Sequence, residues 1–324
     1  MADRVLELLA PVQAALEASP LAVKITAAVG CLVLSRLALQ VLGSVYTFFL
    51  RPAKSLKGFG QWGVVTGATD GIGKALAMEL ARKGMNVVLL SRTQSRLEAA
   101  RDEILAKYPK VEVEILAVDF NRVDEPSVRE ALQKKMDQVK DVGVLFNNVG
   151  VSYDFPEFFD QLPEDRVDSL IKLNVAATTI MTKLVLPAQA RRGRQPELRL
   201  GPHGRAAAQR ILGHQEVRGA ANAVLAAEYA AKNVHIQCHV PMFVSTKLAK
   251  IRHSSFMVPS PATYARASVA QLGYDTLISP YWPHALQIWL YESAPTWLLA
   301  KAAMMTHLSL RKRALKKLEA KKNQ

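Results

Sequence analysis

A glycine-rich turn carries the residue types and spacing best suited to chemistry in this sequence. The run Thr66-Gly67-Ala68-Thr69-Asp70-Gly71-Ile72-Gly73 follows an apolar stretch and precedes a pattern typical of a helix. Glycines at this spacing let backbone N–H groups approach a pyrophosphate, and the helix directs its positive N-terminus at the phosphates. The turn therefore predicts a dinucleotide site. Its expected cofactor-binding residues are Gly67, Thr69, Asp70, Gly71, Ile72 and Gly73.

Arg92 bears on which dinucleotide is expected. An acidic residue at the end of the second predicted strand would bind the ribose 2′-hydroxyl of NAD, but this sequence has Ser91-Arg92 there. A guanidinium can pair with a 2′-phosphate, so the expected cofactor is NADPH, with Lys74 assisting. The alternative is that Arg92 is a surface cation without a ligand.

Short apolar runs alternate with amphipathic stretches, and this alternation predicts the elements that position the turn. The expected strands are 63–66, 87–90, 113–118 and 142–146, and the expected helices are 72–83 and 95–107. Continuous apolar strands separated by helices are typical of a parallel sheet covered on both faces. The predicted fold class is therefore α/β, a Rossmann-like doubly wound parallel sheet, preceded by an N-terminal membrane helix.

Four motifs, in order and at matching spacing, make the sequence resemble the short-chain dehydrogenase/reductase family. Besides the Gly-x-x-x-Gly-x-Gly turn, they are Asp119-Phe120, Asn147-Asn148-Val149-Gly150 and Leu173-Asn174-Val175. The resemblance covers residues 60–190 and 223 to about 285. It implies that Asp119 meets the adenine and that Asn174 belongs to the catalytic proton relay. The implied floor beneath the cofactor is formed by Asn148, Val149 and Gly150.

The same resemblance implies a catalytic serine, tyrosine and lysine that this sequence lacks. In the family, the serine holds the substrate carbonyl, the tyrosine donates a proton as hydride arrives, and the lysine lowers the tyrosine pKa. The family spacing places these groups where the sequence has Leu198, Ile211 and Gln215. Residues 191–218 contain seven arginines and show no strand pattern. The fifth strand and the catalytic helix are therefore expected to be corrupted.

A shifted reading frame over about 191–222 accounts for the missing groups. When the last two bases of each codon are read with the first base of the next, codons for Ile211 to Gln215 can spell Tyr-Ser-Ala-Thr-Lys. In the same frame, codons for Gln195 to Leu198 can spell Asn-Leu-Ser-Ser. The second serine then falls 13 positions before residue 211, as the family requires. The alternative is genuine divergence into a catalytically inactive homologue.

An N-terminal apolar stretch predicts a membrane anchor. Residues 25–50 are apolar except for Arg36 and a few small polar residues, and this length can cross a bilayer core. The cations Arg51, Lys54 and Lys57 follow, which places the C-terminal side in the cytosol. The alternative is a helix that lies on the membrane surface. The expected domains are the anchor with its basic flank (1–57), an NADPH-binding short-chain dehydrogenase domain (58–275) and a hydrophobic C-terminal region with a basic tail (276–324).

The C-terminal region combines tryptophans with basic residues. Residues 281–310 include Trp282, Trp289 and Trp297, which fits either a membrane interface or a hydrophobic lid over a substrate pocket. The tail contributes to a net charge of +14, and it suits an anionic membrane surface or simple solvation. The sequence lacks the interleaving of aromatic and basic residues that would indicate nucleic-acid binding. The ending Lys321-Lys322-Asn323-Gln324 resembles a dilysine signal, so the expected location is the endoplasmic reticulum membrane with the catalytic domain in the cytosol.

The stretch after residue 246 bears on the substrate. Residues 247–261, with Tyr281-Trp282-Pro283-His284, resemble the very-long-chain 3-oxoacyl-CoA reductases of fatty acid elongation and the related 17-β-hydroxysteroid dehydrogenases. The resemblance implies NADPH-dependent reduction of a long 3-oxoacyl-CoA, elongase subunits as partners, and Thr246 near the nicotinamide amide. Lys247, Lys250 and Arg252 either meet CoA phosphates or form a solvated face. The alternatives are a ketosteroid reductase and an inactive nucleotide-binding membrane subunit. With Cys31 and Cys238 as the only cysteines, no metal site is expected.

Overall fold

The computed structural model describes residues 20–152, 155–190, 197–200 and 224–322, and the chain divides into two compact units, Met1–Pro52 and Ala53–Gln324. In the first unit, helix α1 (Leu21–Val45) continues into a π-helical turn, Tyr46–Leu50. The apolar side chains of α1 are largely exposed, among them Leu32 at 72% and Leu39 at 69%. The segment Val23–Leu50 is long and apolar enough to cross a membrane, and none of it is buried.

The second unit is built on a seven-stranded sheet in the order β3-β2-β1-β4-β5-β6-β7, and within the described residues all six neighbouring strand pairs are parallel. The strands are β1 (Trp62–Thr66), β2 (Asn86–Ser91), β3 (Val113–Ala117), β4 (Val142–Asn147), β5 (Glu197–Leu200), β6 (His235–His239) and β7 (Leu277–Ile278). This arrangement confirms the predicted Rossmann-like sheet.

Helices connect the strands and cover the sheet. They are α2 (Gly71–Arg82), α3 (Gln94–Lys107), α4 (Pro126–Gln138), α5 (Glu164–Ile171), α6 (Ala177–Ala190), α7 (residues 224–230), α8 (Pro261–Ala270), α9 (Trp282–Ser293) and α10 (Thr296–Lys322). A π-helical turn, Lys172–Ala176, joins α5 to α6. The stretch Glu164–Leu186 also has the length and composition of a membrane span, but its Leu173, Met181 and Val185 are buried against the sheet. It is therefore a core helix.

Two apolar cores lie on opposite faces of the sheet, as successive side chains of a strand require. On one face, Val65 and Leu89 pack in the same cluster as Leu76 and Leu80 of α2. On the other face, the neighbouring Val64, Val88 and Leu90 pack in a cluster with α4 and α6 residues. Because both faces are covered, the strands β1, β2 and β4 are almost entirely buried. Such burial explains why these strands appear in the sequence as continuous apolar runs.

The structure describes a strand at residues 197–200, within the stretch 191–218 whose sequence shows no strand pattern. Strand β5 lies between β4 and β6, and Leu198 is in register with Leu145 on one side and Ile236 on the other. A gap between β4 and β6 would leave unpaired backbone groups on both strands, and the four residues of β5 pair with four residues of each. The position expected for the catalytic serine thus lies in a central strand. The positions expected for the tyrosine and the lysine, Ile211 and Gln215, lie outside the described residues.

Candidate functional site

A cleft opens at the carboxyl ends of β1, β2 and β4, where the strand order changes direction. Ligands of open α/β sheets bind at this point. The volume of the cleft is about 250 Å³. The sequence-predicted residues that line it are Gly67, Thr69, Asp70, Gly71, Ile72, Arg92, Asn148, Val149, Gly150 and Thr246. The structure therefore brings together ten residues that are spread over 180 positions of the sequence.

The glycine turn needs its glycines for two different reasons. Gly67 and Gly71 have φ angles of 65° and 56°, in the left-handed region that other residues rarely adopt. Gly73 lies in the first turn of α2, behind the cleft surface. A Cβ on Gly73 would stand 2.3 Å from Asn148 Nδ2 and 2.3 Å from the Gly67 carbonyl oxygen. The close approach at Gly73 fixes the turn against the end of β4.

A buried threonine and an asparagine tie the end of β1 to the end of β4. The hydroxyl oxygen of Thr66 accepts hydrogen bonds from the backbone N–H of Asn148 at 2.8 Å and of Val149 at 2.9 Å. In return, Asn148 Nδ2 donates to the Thr66 carbonyl oxygen at 3.1 Å. These three bonds hold the phosphate turn and the floor of the cleft as one rigid surface. Preorganisation of this kind reduces the ordering cost of binding a ligand.

Asp70 begins α2 and carries a charge near the turn. Its carboxylate accepts a hydrogen bond from the Gly71 N–H at 2.8 Å and forms an ion pair with Lys247 at 3.0 Å. Partial burial raises the pKa of Asp70, but the hydrogen bonds and the positive charges of Lys247 and Arg96 outweigh it and lower the pKa below its usual value. Asp70 is therefore ionised at neutral pH, and Lys247 compensates its charge.

The side chain of Arg92 is exposed at the edge of the cleft. Among the described residues it makes no hydrogen bond or ion pair, in contrast to Lys247, the other cation lining the cleft. Lys74, expected to assist Arg92, instead pairs with Glu103 of α3 and does not line the cleft. The hydrogen bond from Lys74, followed by one from Lys107, lowers the pKa of Glu103. Arg92 is thus the cation left available for an anionic ligand.

Besides Gly73, two residues expected at the site, Asn174 and Asp119, lie next to the cleft rather than on it. Asn174 sits in the π-helical turn, where its amide donates to the Val151 carbonyl at 3.0 Å and accepts from the Val151 N–H at 3.1 Å. Asp119 follows β3, and its carboxylate accepts from the Asn121 N–H at 3.0 Å. Their neighbours Val151 and Phe120 line the cleft instead. In this structure the side chains of Asn174 and Asp119 influence the cleft wall indirectly, through their hydrogen bonds to the backbone of Val151 and Asn121.

Comparison with known proteins identifies the family. The short chain dehydrogenase family model matches residues 61–195. The chain is 36% identical over 281 residues to inactive hydroxysteroid dehydrogenase-like protein 1 of Homo sapiens, covering 81% of each. It is 39% identical over 266 residues to very-long-chain 3-oxoacyl-CoA reductase-B of Danio rerio, covering 80% of this chain and 84% of the relative. The chain belongs to the short-chain dehydrogenase family.

Solved structures show the same fold. A 7β-hydroxysteroid dehydrogenase superposes with a TM-score of 0.66 at 17% identity, covering 77% of this chain and 98% of the other. A short-chain dehydrogenase from Sphingobium yanoikuyae, in complex with NADPH, superposes with a TM-score of 0.57 at 21% identity, covering 76% and 95%. At these identities the likeness concerns the short-chain dehydrogenase fold alone.

In this short-chain dehydrogenase, His284 of the stretch Tyr281-Trp282-Pro283-His284 contacts the loop that lines the cleft, a role that the sequence did not indicate. It is fully buried in α9, and its Nδ1 accepts a hydrogen bond from the Met242 N–H at 3.2 Å. Its Nε2 lies 3.1 Å from the Phe243 carbonyl oxygen, to which the neutral tautomer donates. Burial lowers the pKa of His284 to about 4, although the bond to Phe243 opposes the shift. A neutral His284 thus holds the loop whose Met242 and Val244 line the cleft.

Acid should weaken this loop contact. A pKa lowered from 6.5 in the unfolded chain to about 4 in the fold contributes stability above pH 6.5, which is lost as the pH falls toward 4. We expect the free energy of unfolding to fall in both proteins when the pH is lowered from about 7 to about 4.5. In the His284→Asn variant this fall should be smaller by about 2 kcal/mol than in the unchanged chain. Urea unfolding at both pH values measures this. Parallel pH dependence of the two proteins would show that His284 does not titrate across this range.

Proposed function

We propose that this short-chain dehydrogenase binds NADPH in the cleft and that its family activity is the reduction of a very-long-chain 3-oxoacyl-CoA to the 3-hydroxyacyl-CoA. Its place is the endoplasmic reticulum membrane, with α1 as the anchor and the catalytic domain in the cytosol. The proposed division is an anchor over 1–57, an NADPH-binding domain over 58–275 and a hydrophobic C-terminal region over 276–324. Elongase subunits are the proposed partners.

The observation that carries the cofactor proposal is the uncompensated Arg92 beside a complete glycine turn. An NADH site would place an acid where Arg92 stands, and that acid would repel a 2′-phosphate. Pairing of the guanidinium with the 2′-phosphate requires no existing partner of Arg92 to be displaced. Thr69, whose hydroxyl lies 3.0 Å from that of Ser91, links the turn to the end of β2, next to Arg92.

Replacing Arg92 should change cofactor preference. We expect Arg92→Gln to weaken NADPH binding by about 10- to 100-fold, since one charge-assisted pair contributes about 1.5–3 kcal/mol, and to leave NADH binding unchanged. Fluorescence titration of each nucleotide with the purified full chain measures both constants. The matched control is Arg101→Gln, because Arg101 makes only a surface pair with Asp102. Equal weakening of both nucleotides, or none, would contradict the assignment.

The remaining cofactor roles follow the family pattern. We propose that Asp119 meets the adenine, that Asn148, Val149 and Gly150 lie beneath the cofactor, and that Thr246 approaches the nicotinamide amide. Asn174 would belong to the proton relay through the backbone it holds. Support comes from placement, because all but Asp119 and Asn174 line one cleft. Lys247 forms an ion pair with Asp70, so this pair would have to open before Lys247 could bind CoA phosphates.

The proposal that the substrate is an acyl-CoA rests on the similarity of this chain to known reductases. Very-long-chain 3-oxoacyl-CoA reductases of Danio rerio and Emericella nidulans are 39% and 36% identical to this chain over at least 80% of its length. A long acyl chain partitions into a bilayer, so an enzyme anchored there meets its substrate where that substrate is concentrated. The candidate span Val23–Leu50 fits this requirement.

We propose that the catalytic segment, residues 191–222, is encoded in a shifted reading frame. The family model stops matching at residue 195, inside the segment proposed to be frame-shifted. Strand β5 pairs with both neighbours at Leu198, where the shifted frame spells serine. As the sequence stands, the proton donor, its lysine and the carbonyl-binding hydroxyl are absent. We therefore expect this chain to bind NADPH without reducing a ketone.

A second candidate function is nucleotide binding without catalysis. The relative that is 36% identical over 281 residues is named inactive, so similarity alone does not separate the two functions. The third base of the Ile211 codon separates the two functions. In the shifted frame an A at that base yields tyrosine, a U yields phenylalanine and a C yields serine. Only tyrosine supplies the phenolic proton that the family mechanism needs.

A further inference from the structure

Helix α10 presents an exposed apolar stripe. Trp297, Met304, Leu308 and Leu315 are 68%, 51%, 47% and 40% exposed, respectively. Their spacing of seven, four and seven residues places them on one face of an α-helix. Apolar side chains at this spacing normally face a core. Here they face away from the unit that contains them, so the stripe is suited to an outside partner.

Charge restricts what that partner can be. Lysines at 301, 312 and 316 are exposed and lie within about a third of a helical turn of the stripe. Across Thr296–Lys322 the sequence has eight lysines and arginines and a single acid, Glu319. A second copy of α10 would set these cations against one another, which disfavours pairing of two stripes. The partner must therefore be both apolar and anionic.

Contacts made by Arg311, past the middle of α10, set the orientation of this helix. The guanidinium of Arg311 stacks 4.6 Å from the ring centre of Phe158 and donates to Gln161 Oε1 at 2.5 Å. Because Arg311 is engaged inward, the basic residues on either side of it are the ones that reach outward.

The helix is too short in its apolar part to cross a membrane. The mostly apolar part of α10, residues 296–310, ends at the basic run that begins with Arg311, and its 15 residues rise roughly 22 Å, less than the bilayer core of about 30 Å. In the part of the chain that the structure describes, α10 is not among the helices long and apolar enough to span. A tryptophan at one end and lysines along the stripe instead suit the headgroup boundary.

We propose that α10 lies on the surface of an anionic phospholipid bilayer, with the stripe in the acyl boundary and Lys301, Lys312 and Lys316 at the headgroups. This contact is separate from the candidate span of α1, and it requires neither cofactor nor substrate. A bilayer is at hand because the same chain carries that span. The stems of the lysines can cover apolar surface while their charges reach the phosphates.

The test uses the full chain in vesicles of phosphatidylcholine, with and without phosphatidylserine. Brominated acyl chains quench tryptophans that reach the acyl boundary, and the difference between the unchanged chain and Trp297→Phe isolates the Trp297 signal. We expect quenching of Trp297 with phosphatidylserine and its loss without it. The paired reversal Lys312→Glu and Lys316→Glu should abolish quenching. The reversal Lys83→Glu and Lys110→Glu, at exposed sites elsewhere, should preserve it.

Circular dichroism of each variant establishes that the helices remain formed. Quenching that is equal in both vesicles and insensitive to the reversal of Lys312 and Lys316 would overturn the role of charge. A Trp297 that no vesicle quenches would overturn the bilayer contact and indicate that another protein covers the stripe.

Discussion

A chain translated in the shifted frame over residues 191–222 should reduce a long 3-oxoacyl-CoA with NADPH, whereas the present sequence should show no turnover. The shifted frame supplies a serine in β5 and a tyrosine and lysine one helical turn apart. A positioned proton donor alone contributes about 10²- to 10⁴-fold in rate, and the lysine also keeps its pKa suitable for transfer. We therefore expect a rate increase of at least about 100-fold, measured as NADPH consumption by purified protein.

The control for this gain is the restored chain with its new tyrosine replaced by phenylalanine. It keeps the strand, the helix and the cofactor cleft but has no phenolic proton, so it should fall back by about 100-fold or more while NADPH binding persists. Turnover of a 3-oxoacyl-CoA by the present sequence at the rate of the restored chain would refute the requirement for these residues. A ketosteroid turned over faster than the acyl-CoA would reassign the substrate and leave the mechanism intact.

Gly73→Ala should abolish NADPH binding and destabilise the protein. The added Cβ would meet the Gly67 carbonyl oxygen and Asn148 Nδ2 at 2.3 Å, and the backbone oxygen cannot turn aside as a flexible side chain would. Relief requires the phosphate turn to move away from β4, which breaks the bond between Asn148 and Thr66. Overpacking of this kind costs about 1–3 kcal/mol, and the misplaced turn no longer fits a pyrophosphate. Nucleotide titration and urea unfolding measure the two effects.

The matched control is Gly58→Ala. Gly58 is exposed, no atom lies within 4 Å of its added Cβ, and it has no positive φ, so its stability and NADPH affinity should stay close to those of the unchanged chain. If Gly73→Ala bound NADPH as tightly as Gly58→Ala does, the turn would not be the phosphate site.

The sheet and the turn could be predicted because their constraints are local in the sequence. Strands buried on both faces must be continuously apolar, and the predicted 87–90 and 142–146 fall inside the observed Asn86–Ser91 and Val142–Asn147. The glycine turn likewise combines all its requirements within eight residues. Arg92 lines the cleft because it directly follows β2, a strand whose end could be located in the sequence, and its role toward a cofactor stays a prediction.

Contacts between distant residues could not be predicted in this way. The ion pair of Asp70 with Lys247 and the contact of His284 with Met242 join segments that are separated by tens of residues or more in the sequence. The pairing of Lys74 with Glu103 depends on how α2 and α3 pack, so the assisting role expected for Lys74 did not follow from its position alone. Strand β5 forms because its neighbours require it, although its own four residues carry little strand pattern.

Genomic sequencing across codons 187 to 225 tests the central claim most directly. The claim is that an NADPH-dependent reductase of the short-chain dehydrogenase family lies beneath a misread catalytic segment. It predicts a compensating pair of frame changes near the two ends of this stretch, with serine, tyrosine and lysine codons at positions 198, 211 and 215 between them. An unbroken frame that encodes Leu198, Ile211 and Gln215 would contradict it and leave a nucleotide-binding protein without a reductase.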